Sequence, residues 1–484
     1  MGESYPLMGI YNKLLTVKSI NAVIMALIIL IIGIGHFYYG ELILKGAGVG
    51  WDGKIYRDIA MDFHNMIVDR EISIYRLQRV FPSALLHYLL KLLQVPLESN
   101  VIMLSFRIYN LILLVLAAYL WGLICIKLKL TPQVQWLAFI GLFVNFMAFK
   151  YFFIYPILTD QTALFLGVLL LYFYLHDHKL GMILTSIVGM FTWPLVAYYG
   201  LTLNAFPKSN ILITETKSSE NKQGKILFVL MTTVIVLLML KSTTLVGEWM
   251  KAPSLLYLSI MIVVFYIAFG SWFLYYKEVI IDAYHVLRSH KWINILISVI
   301  IMILLNLLVN YWGKEGNNSN LWLTLPETIN RGVGLPAIFL VAHAVFFGPI
   351  VLIMLFFWDK MTIFTTRFGF GFWLVIFANF ILSLASESRV LIAAVPFFII
   401  LVSLALNEIH LKPSFMWFFL VISLVFSKIW YRMNLDWKNG FSQAFYMNFG
   451  FSMSWEMYAL QGGIILWLAV ILYIMVRSSK NREV

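Results

Sequence analysis

Long apolar runs separated by short polar segments dominate the chain. The runs cover about 19–39, 101–126, 136–149, 161–175, 226–240, 255–275, 293–312, 337–357, 368–385, 390–406, 415–430 and 463–476. Several approach the ~20 residues that a helix needs to cross ~30 Å of hydrocarbon. They are continuous rather than alternating, which excludes a membrane β-barrel. The pattern predicts an all-α polytopic membrane protein with about 12–14 transmembrane helices. Its outer loops are short, interfacial helices accompany them, and residues 1–484 form one transmembrane domain.

Two segments depart from simple crossing. Residues 81–93 are apolar but interrupted by Pro82, His87 and Lys91. They are too short to span and suit a helix lying in the interface. Residues 180–206 lie between two basic stretches, Lys179 on one side and Lys208, Lys217, Lys222 and Lys225 on the other. Positive charge collects on the cytoplasmic side, so a single crossing there conflicts with the charges. Thr192-Trp193-Pro194 sits mid-segment, where proline interrupts a helix. Two short helices that enter and return are expected, the alternative being one kinked span.

Composition sharpens the class. Hydrophobic residues make up 62% and charged residues 12%, with a mean hydropathy of +0.87. Soluble chains carry about 25% charged residues, so the solvent here is lipid. The net charge of +12 would suggest nucleic acid in a soluble protein. In a membrane chain it reads as topology, and no nucleic-acid partner is expected. Cys125 is the only cysteine, which rules out disulfides and cysteine-based metal clusters within the chain. The first apolar run is too long for a signal peptide and is expected to be a retained span. Charge parity puts both termini in the cytoplasm of a multi-pass plasma (inner) membrane protein. It leaves outer segments at 41–79, 150–160, 313–336 and 431–461, and a short outer turn at Glu387-Ser388-Arg389.

The first outer loop, within 41–94, gathers acids and arginines where the orientation rule disfavours base. Lys54, Arg57, Arg70, Arg76 and Arg79 therefore call for an anionic ligand, since guanidinium forks match phosphate oxygens. Asp52 lies between Trp51, an interfacial ring, and Gly53, which permits a tight turn. A carboxylate held there is either a general base or a solvated turn residue. Asp160 opens an apolar run and is either a helix N-cap or a site acid. Glu387 and Arg389 either pair with each other or serve a site. Arg107 snorkels or faces a cavity. His343 is read as packed, and His176 and His178 as boundary residues. Asn317-Asn318-Ser319 is a formal glycosylation sequon. No nucleotide-binding glycine motif is present.

The run Trp51-Asp52-Gly53-x-x-Tyr56-x-x-Ile59-Ala60 resembles the first-loop signature of GT-C glycosyltransferases, notably GPI mannosyltransferases of the second-mannose type and bacterial relatives. Tyr75-Arg76-x-x-Arg79-x-Phe81-Pro82 is similar to the stretch that follows in bacterial members. Tyr155 to Asp160 resembles their second-loop acid segment, and Glu387-x-Arg389-x-Leu391 with Pro396 a late pattern. The resemblance covers the first third of the chain and one late turn, and it leaves the sugar open.

The resemblance implies a GT-C-type bundle and an inverting glycosyltransferase with its site on the extracytoplasmic face. The donor is a polyprenyl-phosphate-linked sugar, and the acceptor a glycan, lipid or protein. Asp52 is the implied catalytic base. Trp51, Tyr56, Arg57, Arg76, Arg79, Asp160, Glu387 and Arg389 are the implied substrate-binding residues. No metal site is expected, although Asp52 and Asp160 are the two residues that could share a divalent cation. The other classes that fit a polytopic chain are a transporter or flippase for lipid-linked oligosaccharide and a polysaccharide polymerase.

Overall fold

The computed structural model describes residues 20–46, 48–69, 72–208, 222–241, 253–289, 291–314, 326, 329–432 and 453–480. Among them the regular elements are helical, apart from one isolated parallel bridge between Ser73 and Lys314. Helix α1 (Ile20–Tyr39) leads into a segment with four short helices: α2 (Gly53–Met61), α3 (Phe63–Val68), α4 (Ile74–Leu77) and α5 (Phe81–Leu92). Next come α6 (Ser99–Lys127), α7 (Pro132–Phe143) and a π turn (Met147–Tyr151) that runs into Phe152–Ile154. Then follow α8 (Asp160–Leu175), α9 (Lys179–Met190), α10 (Pro194–Ala205), α11 (Lys222–Lys241), α12 (Leu256–Leu274), α13 (Lys277–Arg288) and α14 (Trp292–Trp312). The last part carries α15 (Ile338–Phe347), α16 (Ile350–Phe356), α17 (Trp358–Phe368), α18 (Phe370–Leu382), a 3-10 turn (Ser388–Leu391), α19 (Val395–Leu406), α20 (Pro413–Ser427) and α21 (Trp455–Lys480).

Six of these helices, α1, α6, α11, α12, α14 and α21, are long and apolar enough to cross a membrane. The number is seven if α7 and Met147–Ile154 form one span bent by 54°. Six further apolar helices, α8, α9, α15, α18, α19 and α20, have 10–17 residues. Many of the expected 12–14 runs are thus short or broken. The run 337–357, for example, breaks at Gly348, whose φ is +83°, and Pro349.

Long and short helices divide the work. Long helices expose apolar side chains: Leu27 and Ile31 on α1, Leu230 and Leu238 on α11, Ile300 and Leu304 on α14, Leu466 and Trp467 on α21. The short helices α8, α15 and α19 are almost wholly buried. A protein apolar both inside and outside is at home in lipid, where burying those outer faces from water is the dominant gain. This is a polytopic helical membrane protein.

Helices α9 and α10 run antiparallel. The missing side chain of Gly200 makes room for Ser186, and that of Gly189 for Val196. Pro194 falls in the first turn of α10, where its lack of an N–H costs nothing. Each helix has 12 residues, or about 18 Å, too little to cross alone. The segment expected to turn back on itself is therefore a helical hairpin, broken at Thr192-Trp193-Pro194.

Hydrogen bonds stitch the segment after α1 to itself and to two neighbours. Ser83 Oγ donates to the Tyr56 carbonyl at 2.9 Å, and His87 Nδ1 bonds the Ala60 carbonyl at 2.9 Å, holding α2 on α5. The Phe81 N–H donates to the Phe191 carbonyl at 2.8 Å, so α5 starts against the hairpin tip. The Ile74 N–H reaches the Lys314 carbonyl at 3.0 Å, just past α14. Helix α5 buries Pro82, Leu86 and Leu90 and exposes Leu85, Tyr88, Leu89 and Leu92. Its outward face is thus largely apolar, like those of the long helices.

Residues 150–160, expected as an outer loop, are largely buried: they finish the π turn, run through Phe152–Ile154 and then turn into α8. Lys150 pairs with Glu41 at 2.6 Å there. The expectation for Arg107 also resolves structurally. Arg107 donates to the His36 and Phe37 carbonyls at 3.3 and 3.0 Å, capping the C-terminus of α1, where carbonyls lack helical partners. The sequon at 317–319, Arg70 and most of the outer segments 313–336 and 431–461 lie outside the described residues.

Candidate active site

The Asp52 loop owes its shape to glycines. Gly50 has φ +67°, and a side chain there would collide with the Tyr155 ring. A side chain on Gly53 would collide with Ile157. The Gly53 N–H donates to the Tyr155 hydroxyl at 3.3 Å. The loop is thereby pressed onto residues 155–157, three to five residues ahead of Asp160.

Asp52 precedes α2 but does not cap it with its side chain. Its carboxylate turns to Arg76, whose Nη2 donates to Oδ1 at 2.8 Å. Oδ2 makes no hydrogen bond to a described residue. The Asp52 side chain is 35% exposed, so one oxygen is reachable. Arg76 Nη1 donates to the Tyr56 hydroxyl at 3.4 Å. Burial works against the Arg76 charge, but its bonds to Asp52 and Tyr56 raise its pKa above the ordinary arginine value. Burial likewise pushes the Tyr56 hydroxyl up, so it remains a neutral donor and acceptor.

Asp160, the first residue of α8, is not an N-cap. Both its oxygens accept from Arg389, from Nε at 2.6 Å and from Nη2 at 2.8 Å. Its side chain is 1% exposed. Arg389 is also 3.8 Å from Glu387, which takes a shorter contact, 3.1 Å, from Arg331. Burial opposes the Arg389 charge, and Asp160 more than compensates, holding its pKa well above the usual value. Tyr155 lies between the two pairs and feels the charges of both Asp52 and Arg389. Burial pushes its hydroxyl up to about 12, so it keeps its proton.

Other expected residues divide clearly. Arg79 stacks on Tyr75, its guanidinium carbon 3.8 Å from the ring centre, and lies 5.2 Å from the ring of Trp193 at the hairpin tip. Trp51 is half-buried beneath Lys45, whose Nζ is 4.5 Å from its ring. Arg57 pairs at 2.7 Å with its neighbour Asp58 and is not brought to Asp52. No family model, curated protein or solved structure matches the chain. The site therefore rests on its own geometry.

Among the described residues no three His, Cys, Asp or Glu side chains gather as metal ligands. A cation shared by Asp52 and Asp160 would first have to displace Arg389 from Asp160. His343, expected to be packed, is buried with both nitrogens bonded: Nδ1 to Ser388 Oγ at 2.9 Å and Nε2 to the Ser383 carbonyl at 2.8 Å. Ser388 sits between Glu387 and Arg389, so His343 ties that turn to α15. His343 also lines an apolar cavity with Tyr266, Phe269, Trp358, Phe380 and Phe398.

Sequence reasoning missed Tyr155, Arg331 and Trp193. Along the chain Tyr155 is only the start of the second-loop acid segment, and Trp193 only part of the helix break. Arg331 had a signal: it is a base in a segment assigned to the outer side, as the first-loop arginines are.

Proposed function

We propose that the chain is an inverting, integral-membrane glycosyltransferase of GT-C type. It would move a sugar from a polyprenyl-phosphate donor to an extracytoplasmic acceptor, from a plasma (inner) membrane location. The observation that carries this reading is the Gly53–Tyr155 contact, which brings the Asp52–Arg76 pair and the Asp160–Arg389 pair to one end of the bundle. The first-loop resemblance supplies the reaction class.

In this mechanism the free oxygen of Asp52 accepts the proton of an acceptor hydroxyl. The acceptor oxygen forms its bond to the anomeric carbon from the face opposite the leaving group. The bond between that carbon and the phosphate oxygen breaks, and polyprenyl phosphate leaves with the electron pair. One carboxylate suffices, because a phosphate leaving group needs no protonating acid, unlike a sugar alkoxide. Arg389 supplies positive charge where negative charge develops, the kind of electrostatic stabilisation that is usually the largest catalytic contribution. The apolar cavity beneath the Ser388 turn suits the first isoprene units of the donor, with the phosphate toward Arg389. A divalent cation is not required by this scheme.

The test compares lipid-linked sugars and surface glycans by mass spectrometry in cells with the protein, without it, and with Asp52→Asn. The substitution keeps the shape and removes the base. Accumulation of one lipid-linked sugar, with loss of one glycan, is expected in both altered strains. Full transfer by Asp52→Asn would refute the assignment.

A further inference from the structure

We propose that Arg79 belongs to a second oxyanion site, separate from that of the donor phosphate, and that the acceptor itself carries an anionic group of the phosphate type. The word acceptor rests on the reaction proposed above; the existence of two anion sites does not.

Three observations lead there. The first is pairing. Among the described residues, Arg57, Arg76, Arg331 and Arg389 each face a carboxylate at 3.1 Å or less, and Arg107 caps α1 through two backbone carbonyls. Arg79 faces no carboxylate of a described residue. Its Nη1 donates to the Tyr75 carbonyl at 3.0 Å, and its other donors make no hydrogen bond to a described residue. A guanidinium has five N–H donors, so most remain available for a ligand.

The second observation is preorganisation. The guanidinium is held against the rings of Tyr75 and Trp193. Stacking fixes its plane while leaving its edge free, which is how arginine presents a fork to phosphate or carboxylate. Trp193 comes from the hairpin break and Tyr75 from α4, and the Phe81–Phe191 hydrogen bond locks these elements together.

The third is separation. His343 lines the apolar cavity and bonds Ser388, the chain neighbour of Arg389. In the reaction proposed above, a lipid tail in that cavity directs its phosphate toward Arg389. Arg79 lies with the other group: it shares the Tyr75 ring with Arg76, the partner of Asp52. A base must sit beside the acceptor hydroxyl, so a ligand on Arg79 is on the acceptor side.

The test is binding, by isothermal titration of the full-length protein in phosphatidylcholine nanodiscs. The probes are farnesyl phosphate, which has a tail, and glycerol 3-phosphate, which has none. Both are expected to bind at once. Arg79→Gln should weaken glycerol 3-phosphate about tenfold to a hundredfold, the range for a lost hydrogen bond to a charged group, and leave farnesyl phosphate unchanged. Val395→Trp, which fills the cavity, should do the reverse; Leu391→Phe is the milder substitute if the first does not fold. Arg57→Ala should alter neither.

Displacement of glycerol 3-phosphate by farnesyl phosphate would overturn the proposal. So would equal weakening of both probes by Arg79→Gln, or no binding of glycerol 3-phosphate. Adding phosphatidylglycerol to the nanodiscs separates the sources of the anion. Competition at the Arg79 site then means a lipid headgroup; none means a soluble or glycan-borne phosphate. Asp52→Asn should retain both binding events, so a failed transfer assay and a failed second site are told apart.

Discussion

The two carboxylate–arginine pairs at this end of the molecule are chemically alike and physically different. Asp160 is 1% exposed and gives both oxygens to Arg389. Asp52 is 35% exposed and gives one oxygen to Arg76. A buried pair gains little over an apolar replacement, but losing one member strands a charge in a low-dielectric interior. A half-exposed pair contributes little to stability, because water and salt screen it. The first pair is thus fitted to hold two distant parts of the chain together, and the second to exchange partners and protons. Chemistry is expected where the carboxylate is reachable, and folding strength where it is not.

The largest expected effect breaks the buried pair. Asp160→Ala should cost about 3–5 kcal/mol, read as a lowered thermal unfolding midpoint in detergent and a loss of mature protein in the membrane. If its stability matched wild type, the contrast between the pairs would collapse.

The next effect falls on the exposed pair and on rate alone. Asp52→Asn should lower transfer about 10²–10⁴-fold and change stability by about 1 kcal/mol or less. Equal losses of fold and activity would make Asp52 a second clasp rather than a base.

A smaller effect is expected at the bridge. Tyr155→Phe removes the acceptor of the Gly53 N–H and should cost about 1 kcal/mol. The same tyrosine gives a pH test. Its folded pKa, about 12, lies above the ordinary tyrosine value. Its contribution is therefore complete below the unfolded pKa of about 10 and is lost as pH rises toward 12. Tyr155→Phe should flatten that part of the stability–pH curve.

The smallest effect is at Arg57. Its only carboxylate contact among the described residues is its neighbour Asp58, so Arg57→Ala should stay within about 0.5 kcal/mol and leave transfer intact. A large loss of transfer would restore Arg57 to the site from which the geometry removes it.

Much of the fold was legible along the chain. Apolar length located the long lipid-facing helices, and the ends of α1, α6 and α14 fall within two residues of the hydropathy limits. The hairpin at 180–206 was legible too, because Pro194 and the flanking lysines conflict with a single crossing. The short central helices were not. A buried helix inside a bundle need not match the membrane thickness, so hydropathy cannot separate α8 or α19 from a true span. The buried segment at 150–160 was hidden for a similar reason: Lys150 reads as a loop residue until Glu41 is beside it.

At the candidate site, local sequence determined which residues could do chemistry. The glycines around Trp51 and Asp52 allow a close approach, and arginines on an outer loop call for an anion. Both are properties of single segments and can be read there. Pairing is a property of two segments. Asp160 and Arg389 are 229 positions apart, and Tyr155 reaches Gly53 across 102. Sequence alone left Asp160 as either a cap or a site acid, Arg57 as a ligand and Arg79 as one arginine among several. Tertiary structure engaged Asp160, retired Arg57 to its neighbour, and left Arg79 stacked with no carboxylate of a described residue opposite it. An electrostatic partner is chosen by distance in space, and chain order carries no record of it.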